Sequence, residues 1–121
     1  MMRKGKLAGA LALVACACAI YSVSAGAQRP ARSGVNAGAV YQQHCARCHG
    51  ADGDADTDQG RLYDATDFTD ANWWSKERPT DSRLRRSIAR GRPGGMPAYA
   101  KRLSAAEINA LVTYVRGFKG R

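Results

Sequence analysis

The stretch Cys45-Ala46-Arg47-Cys48-His49 constrains what this chain can fold into more than any other. Two thiols three residues apart lie about one helical turn from each other, so both can add as thioethers to the two vinyl groups along one porphyrin edge. The histidine directly after the second thiol then sits beneath the ring, where its imidazole can bind iron from the proximal side. Other chemistries fit this spacing less well. A zinc site needs four ligands, and Cys45, Cys48, His49 and His44 crowd into one six-residue stretch that cannot wrap tetrahedrally around a metal. A thioredoxin-like dithiol needs a βαβ setting, which the sequence lacks, and a plain disulfide leaves His49 without a role. The motif therefore implies one covalently bound haem c.

Such chemistry belongs outside the cytoplasm, and the start of the chain agrees. Arg3, Lys4 and Lys6 precede an apolar run from Leu7 to Val23, and Ala25-Gly26-Ala27 offers a small-residue cleavage site, so residues 1–27 read as a secretory signal peptide. An uncleaved membrane anchor is one alternative, although an apolar run of 17 residues is at the short limit for spanning. Acylation of Cys16 is another, since Leu13-Val14-Ala15-Cys16 resembles a bacterial lipobox. Against it, Ala17 to Val23 stays apolar where a lipoprotein usually turns polar. All three routes place the domain in the periplasm or otherwise outside the cell interior, either released or membrane-tethered. Without the leader, 94 residues remain, carrying 16 basic and 10 acidic side chains for a net charge of +6. A chain that short buries only about two-thirds of its unfolded surface. Its two remaining cysteines cannot make a staple framework, so a bound porphyrin would supply the missing core.

The rest of the chain reads as all-α, with three main helices joined by long loops. Residues 28–34 (QRPARSG) form a flexible linker, and the domain spans 35–121. Asn36 caps a first helix whose positions Ala37, Val40, Tyr41, His44 and Cys48 share one face, and Gly50 ends it. Asp52 to Asp70 has no helical period and reads as a loop wrapped around something. Its Asp52, Asp54, Asp56 and Asp58 invite a calcium reading, but no EF-hand register puts Gly at the sixth position and Glu at the twelfth. A second helix opens at Pro79-Thr80-Asp81, with Leu84 and Ile88 on one face, and ends at Gly91. The third carries a Ser104/Glu107 capping box, a Leu103/Ile108 staple and an apolar stripe of Ile108, Leu111, Val112 and Val115.

A distal iron ligand follows by elimination. With Met1 and Met2 in the leader, Met96 is the one methionine left, and His44 is too close to Cys45 to reach the far face. Lys76, Lys101 and Lys119 remain as weaker alternatives. Met96 sits in Pro93-Gly94-Gly95-Met96-Pro97, a loop in which glycine allows close approach to a porphyrin and Pro97 restricts the ligand. A methionine that only fills a core gap is the competing reading.

Tyr41, the Cys45–Gly50 motif, Arg92-Pro93-Gly94-Gly95-Met96-Pro97 and the helix from Leu103 to Tyr114 resemble the small single-haem class I c-type cytochromes of bacteria. The resemblance covers about residues 35–118. It implies a class I cytochrome c fold wrapped around one haem, with first and last helices crossing so that Gly38 and Tyr41 face Tyr114. It also implies that Phe68, Trp73, Trp74 and Tyr99 line the haem crevice. Iron held by both His49 and Met96 has no vacant position, so a one-electron carrier between respiratory or dehydrogenase partners is expected, not an enzyme. A haem-based sensor, or an electron-transfer subunit of a larger oxidoreductase complex, is the alternative. Seven basic residues and no acidic one fall between Arg83 and Arg102 around the Met loop, which suggests docking on acidic surfaces of redox partners. Nucleic acid is a poor partner for an exported protein, and a monomer is expected.

Overall fold

In the computed structural model, which describes residues 34–121, the side chain of Asn36 accepts a hydrogen bond from the Ala39 amide at 3.0 Å and starts α1 (Ala37–His44). The leader, Cys16 and all but the last residue of the linker lie outside the described residues. The first helix is not continuous through the cysteine motif. The chain kinks at Cys45, whose amide still donates to the Tyr41 carbonyl at 2.8 Å, and resumes as α2 (Ala46–His49) before Gly50 ends it with φ +79°.

One short helix lies inside the region read as loop and a second follows directly after it. α3 (Asp58–Tyr63) and α4 (Ala71–Glu77) have little apolar periodicity and rest on local caps. Thr57 Oγ1 accepts from the Gly60 amide at 2.8 Å, and Asp70 accepts from the Asn72 amide at 2.8 Å. Thr57 Oγ also donates to the Arg47 carbonyl at 2.9 Å, which ties α3 to α2. Close packing there requires glycine: a Cβ at Gly60 would lie 2.2 Å from the Ala55 carbonyl oxygen and 2.5 Å from that of Cys48. The acidic run is tied down by Arg61, which pairs with Asp56 and Asp58.

The two later helices form where expected. Thr80 caps α5 (Asp81–Arg90), and Gly91 follows it with φ +70°. α6 (Ala105–Arg116) opens on the full capping box: the Ser104 amide donates to Glu107 Oε2 at 2.8 Å and the Glu107 amide to Ser104 Oγ at 3.2 Å. α6 packs against both α1 and α5. Arg116 locks its end to the start of α5, donating to Asp81 Oδ1 at 2.6 Å and to the Pro79 carbonyl at 2.7 Å.

Where α1 meets α6, Tyr41 is fully buried, with its ring centroid 5.1 Å from both Tyr114 and Phe118. Its hydroxyl donates to the Gly50 carbonyl at 2.8 Å, so one side chain joins the helix crossing to the end of the cysteine motif. Gly38 faces Tyr114 as expected, but a Cβ there would meet the ring at 3.4 Å, an ordinary van der Waals contact. Around this crossing, Leu84, Ile88, Leu103, Ile108, Leu111, Val112 and Val115 complete the core. The architecture is all-α, with no strand among the described residues and a single isolated bridge between Arg92 and Met96.

Candidate functional site

The kink at Cys45 places that thiol and Cys48 on one wall of a cleft of about 700 Å³. Both cysteines are free and half-buried. Burial, with Cys48 adding to it, pushes the Cys45 thiol up to about 11. His49 lines the same wall, and its Nδ1 lies 3.0 Å from the Thr66 carbonyl. A carbonyl can only accept, so Nδ1 carries the hydrogen and Nε2 keeps its lone pair for a ligand. Burial lowers the imidazole's proton affinity, partly offset by the Thr66 bond, which favours the neutral ring. Phe68 stacks on that ring at 4.5 Å and 19°, fixing its plane from behind.

Met96 lines the cleft as well. Its loop closes on itself, the Arg92 amide donating to the Met96 carbonyl at 2.9 Å, and a Cβ at Gly91 would lie 2.4 Å from that carbonyl oxygen. Inside the loop, Gly95 has φ +133° and lies against the Tyr63 ring, while Gly94 has φ +100° and faces open space. Tyr99 binds this loop to the rest of the site: its hydroxyl donates to the His44 carbonyl at 2.8 Å, and its amide donates to the Ile88 carbonyl at 3.1 Å.

The four residues singled out from sequence, Cys45, Cys48, His49 and Met96, thus share one cleft. None of Lys76, Lys101 or Lys119 lines it. Of the four aromatics expected to line the crevice, Trp73 and Tyr99 do. Trp74 does not. It is buried in the core, where its indole N–H has a partner: Nε1 donates to the Phe68 carbonyl at 2.6 Å. Phe68 also belongs to the core, behind His49. Thr66 was not foreseen, since it acts through a backbone carbonyl that no side chain announces.

Charge around the cleft also differs from the expectation. Of the seven basic residues between 83 and 102, only Arg92 is in the cleft wall, whereas Asp64, Asp67, Asp70 and Glu77 all are. Arg83 is taken up by Glu77 at 2.8 Å.

A flat, largely apolar group carrying two reactive carbon positions and one metal suits this wall: two reduced thiols, an imidazole with a fixed tautomer, and a thioether. Residues 34–115 match the family described as cytochrome C oxidase, cbb3-type, subunit III. The chain belongs to this family. It is a small c-type cytochrome of bacterial kind, with haem c as the cofactor class. It is 35% identical over 82 residues to the cbb3-type cytochrome c oxidase subunit CcoP of Azospirillum brasilense, covering 67% of this chain and 27% of that one. It is 37% identical over 81 residues to the subunit FixP of Rhizobium etli, covering 67% and 26%. The chain thus spans about a quarter of the length of these relatives. Among solved structures, the KustC0563 c-type cytochrome is similar with a TM-score of 0.63 and 40% identity, over 69% of this chain and 96% of that one. That likeness agrees with the class I cytochrome c fold. No helix among the described residues is long and apolar enough to cross a membrane.

Proposed function

We propose that this chain is an electron-transfer subunit of a larger respiratory oxidase assembly. It would hold one haem c through thioethers at Cys45 and Cys48, with His49 and Met96 as axial ligands. The observation that carries this reading is the meeting of those four side chains on one cleft in a chain of this family. When bound, haem c supplies a one-electron iron couple. The chain's own residues do the rest. Cys45 and Cys48 fix the group's edge against α1 and α2. The Thr66 carbonyl holds the proton on Nδ1 of His49, so that Nε2 is presented as a donor to iron. Met96, held by its closed loop and by Tyr99, presents a soft thioether that favours the reduced metal. With His49 and Met96 both holding the iron, the group would supply electron transfer and not binding of oxygen or another small ligand, which would separate a carrier from a sensor. The domain works outside the cytoplasm, in the periplasm, a reading that residues 1–27 support by their leader-like sequence.

A free shuttle is the second reading. The KustC0563 c-type cytochrome favours it, since this chain covers 96% of that solved chain. Purification from its native membrane decides between them: co-purification with oxidase subunits supports the first, and a soluble monomer the second. The attachment itself is tested by intact mass after acid denaturation. The expected result is the chain plus the mass of one haem, lost in Cys45→Ser/Cys48→Ser. An unmodified mass in protein matured with haem would refute the attachment.

A further inference from the structure

α5 and the first turns of α6 border a second, open depression of about 310 Å³, in which Arg85, Arg86 and Arg90 surround Ala89, Ala105 and Ile108. It shares no lining residue with the haem cleft. Arg61, Arg83 and Arg116 each find a carboxylate, but among the described residues Arg85, Arg86 and Arg90 make no ion pair. Glu107, the acid nearest along α6, is committed to Ser104. Three like charges within six residues repel one another, and nothing in the described chain offsets them. The chain's own N-terminal segment cannot do so either, since residues 1–33 contain no Asp or Glu.

We propose that this groove is a docking site for an acidic segment of a partner protein that carries an apolar side chain among its carboxylates. The guanidinium groups suit bidentate pairing with carboxylates. The floor of Ala89, Ala105 and buried Ile108 accepts an apolar side chain. Apolar carbons set among three guanidinium groups suit a protein segment that presents carboxylates and one apolar side chain together. Both walls are helices tied together by Arg116 and by shared core residues, so the groove needs no rearrangement to bind. A partner seated there leaves the cleft, with its Asp64, Asp67 and Asp70, open to a second and oppositely charged partner. The docking stands on the groove alone; its use beside the cleft rests on the electron-carrier reading.

The probe is a fluorescein-labelled oligoglutamate peptide with one central leucine, titrated by anisotropy against the haem-loaded protein. Arg86→Glu should weaken binding about tenfold or more, and Arg90→Gln several-fold, as expected for one lost charge-assisted contact. Lys119→Glu, an equal change of charge elsewhere, should change it less than about twofold. Amide shifts in the ferrous protein should cluster at Ala89, Ala105 and Ile108. Equal weakening by Lys119→Glu would reduce the effect to net charge and overturn the proposal, as would shifts centred on Tyr63 and Met96. Anionic phosphatidylglycerol vesicles that bind through Arg86 while the peptide does not would assign the groove to lipid instead. A concentration-dependent dimer abolished by Arg86→Glu would assign it to a second copy. Haem absorption read on each sample separates any of these from loss of the cofactor.

Discussion

Gly60 and Gly38 sit in helices, and only one of them has to be glycine. At Gly60 any side chain meets two backbone carbonyls that cannot move without disturbing α2 and the cysteine motif. Gly60→Ala should therefore destabilise the protein by at least about 1–3 kcal/mol, the usual cost of overpacking. At Gly38 the neighbour is the edge of a tyrosine ring at contact distance, while glycine inside a helix costs about 0.5–1 kcal/mol relative to alanine. Gly38→Ala should leave stability unchanged or raise it by up to about 1 kcal/mol. Thermal unfolding of the two variants checks both; a Gly38→Ala loss as large as that of Gly60→Ala would mean the helix crossing is tighter than its geometry indicates. The same scale explains which site residues could be read directly. Cys45, Cys48 and His49 are legible because their chemistry depends on spacing along the chain, and Met96 because no other methionine remains. Thr66 acts through a carbonyl, and Phe68 through a stack made 19 residues from His49, so neither is visible as a local pattern.

At the scale of elements, α6 owes its start to local chemistry, which makes it legible and testable. Hydrogen bonds from the Ser104 amide and hydroxyl hold the exposed Glu107 carboxyl below its ordinary value. A depressed carboxylate contributes stability above its unfolded value, about 4.3, and loses it as pH falls through the lower folded one. The gap in Tm between the protein and Glu107→Gln should thus be constant near neutral pH and close in acid below about pH 4. A gap that persists unchanged at low pH would remove the carboxylate from the account. α3 and α4 escaped recognition for the opposite reason. Their caps, Thr57 and Asp70, lie in a run of polar residues with no apolar stripe to follow, and α3 leaves Leu62 and Tyr63 exposed. The charge of α5 was legible but its placement was not, because which face of a helix meets the cleft is decided by packing far along the chain.

At the scale of the molecule, twelve buried apolar side chains among the described residues make up the core, and the cleft of about 700 Å³ beside it is lined by the residues suited to haem. A domain this short would draw part of its apolar interior from that group once it is bound. Replacing both Cys45 and Cys48 by serine should lower Tm and weaken the near-ultraviolet signal of fixed aromatic packing, even when haem is supplied free. Unchanged unfolding would show that the polypeptide alone closes the core. The three-helix outline was legible because helical periodicity and caps are local, whereas the acidic rim of the cleft arises only when residues 64–77 fold over the motif. Whether His49 and Met96 both hold the iron is read from the ferric absorption spectrum of the haem-loaded protein. The expected result is the weak near-red band of methionine sulfur on iron, abolished in Met96→Ala; a wild-type spectrum without that band would rule out Met96 as a ligand.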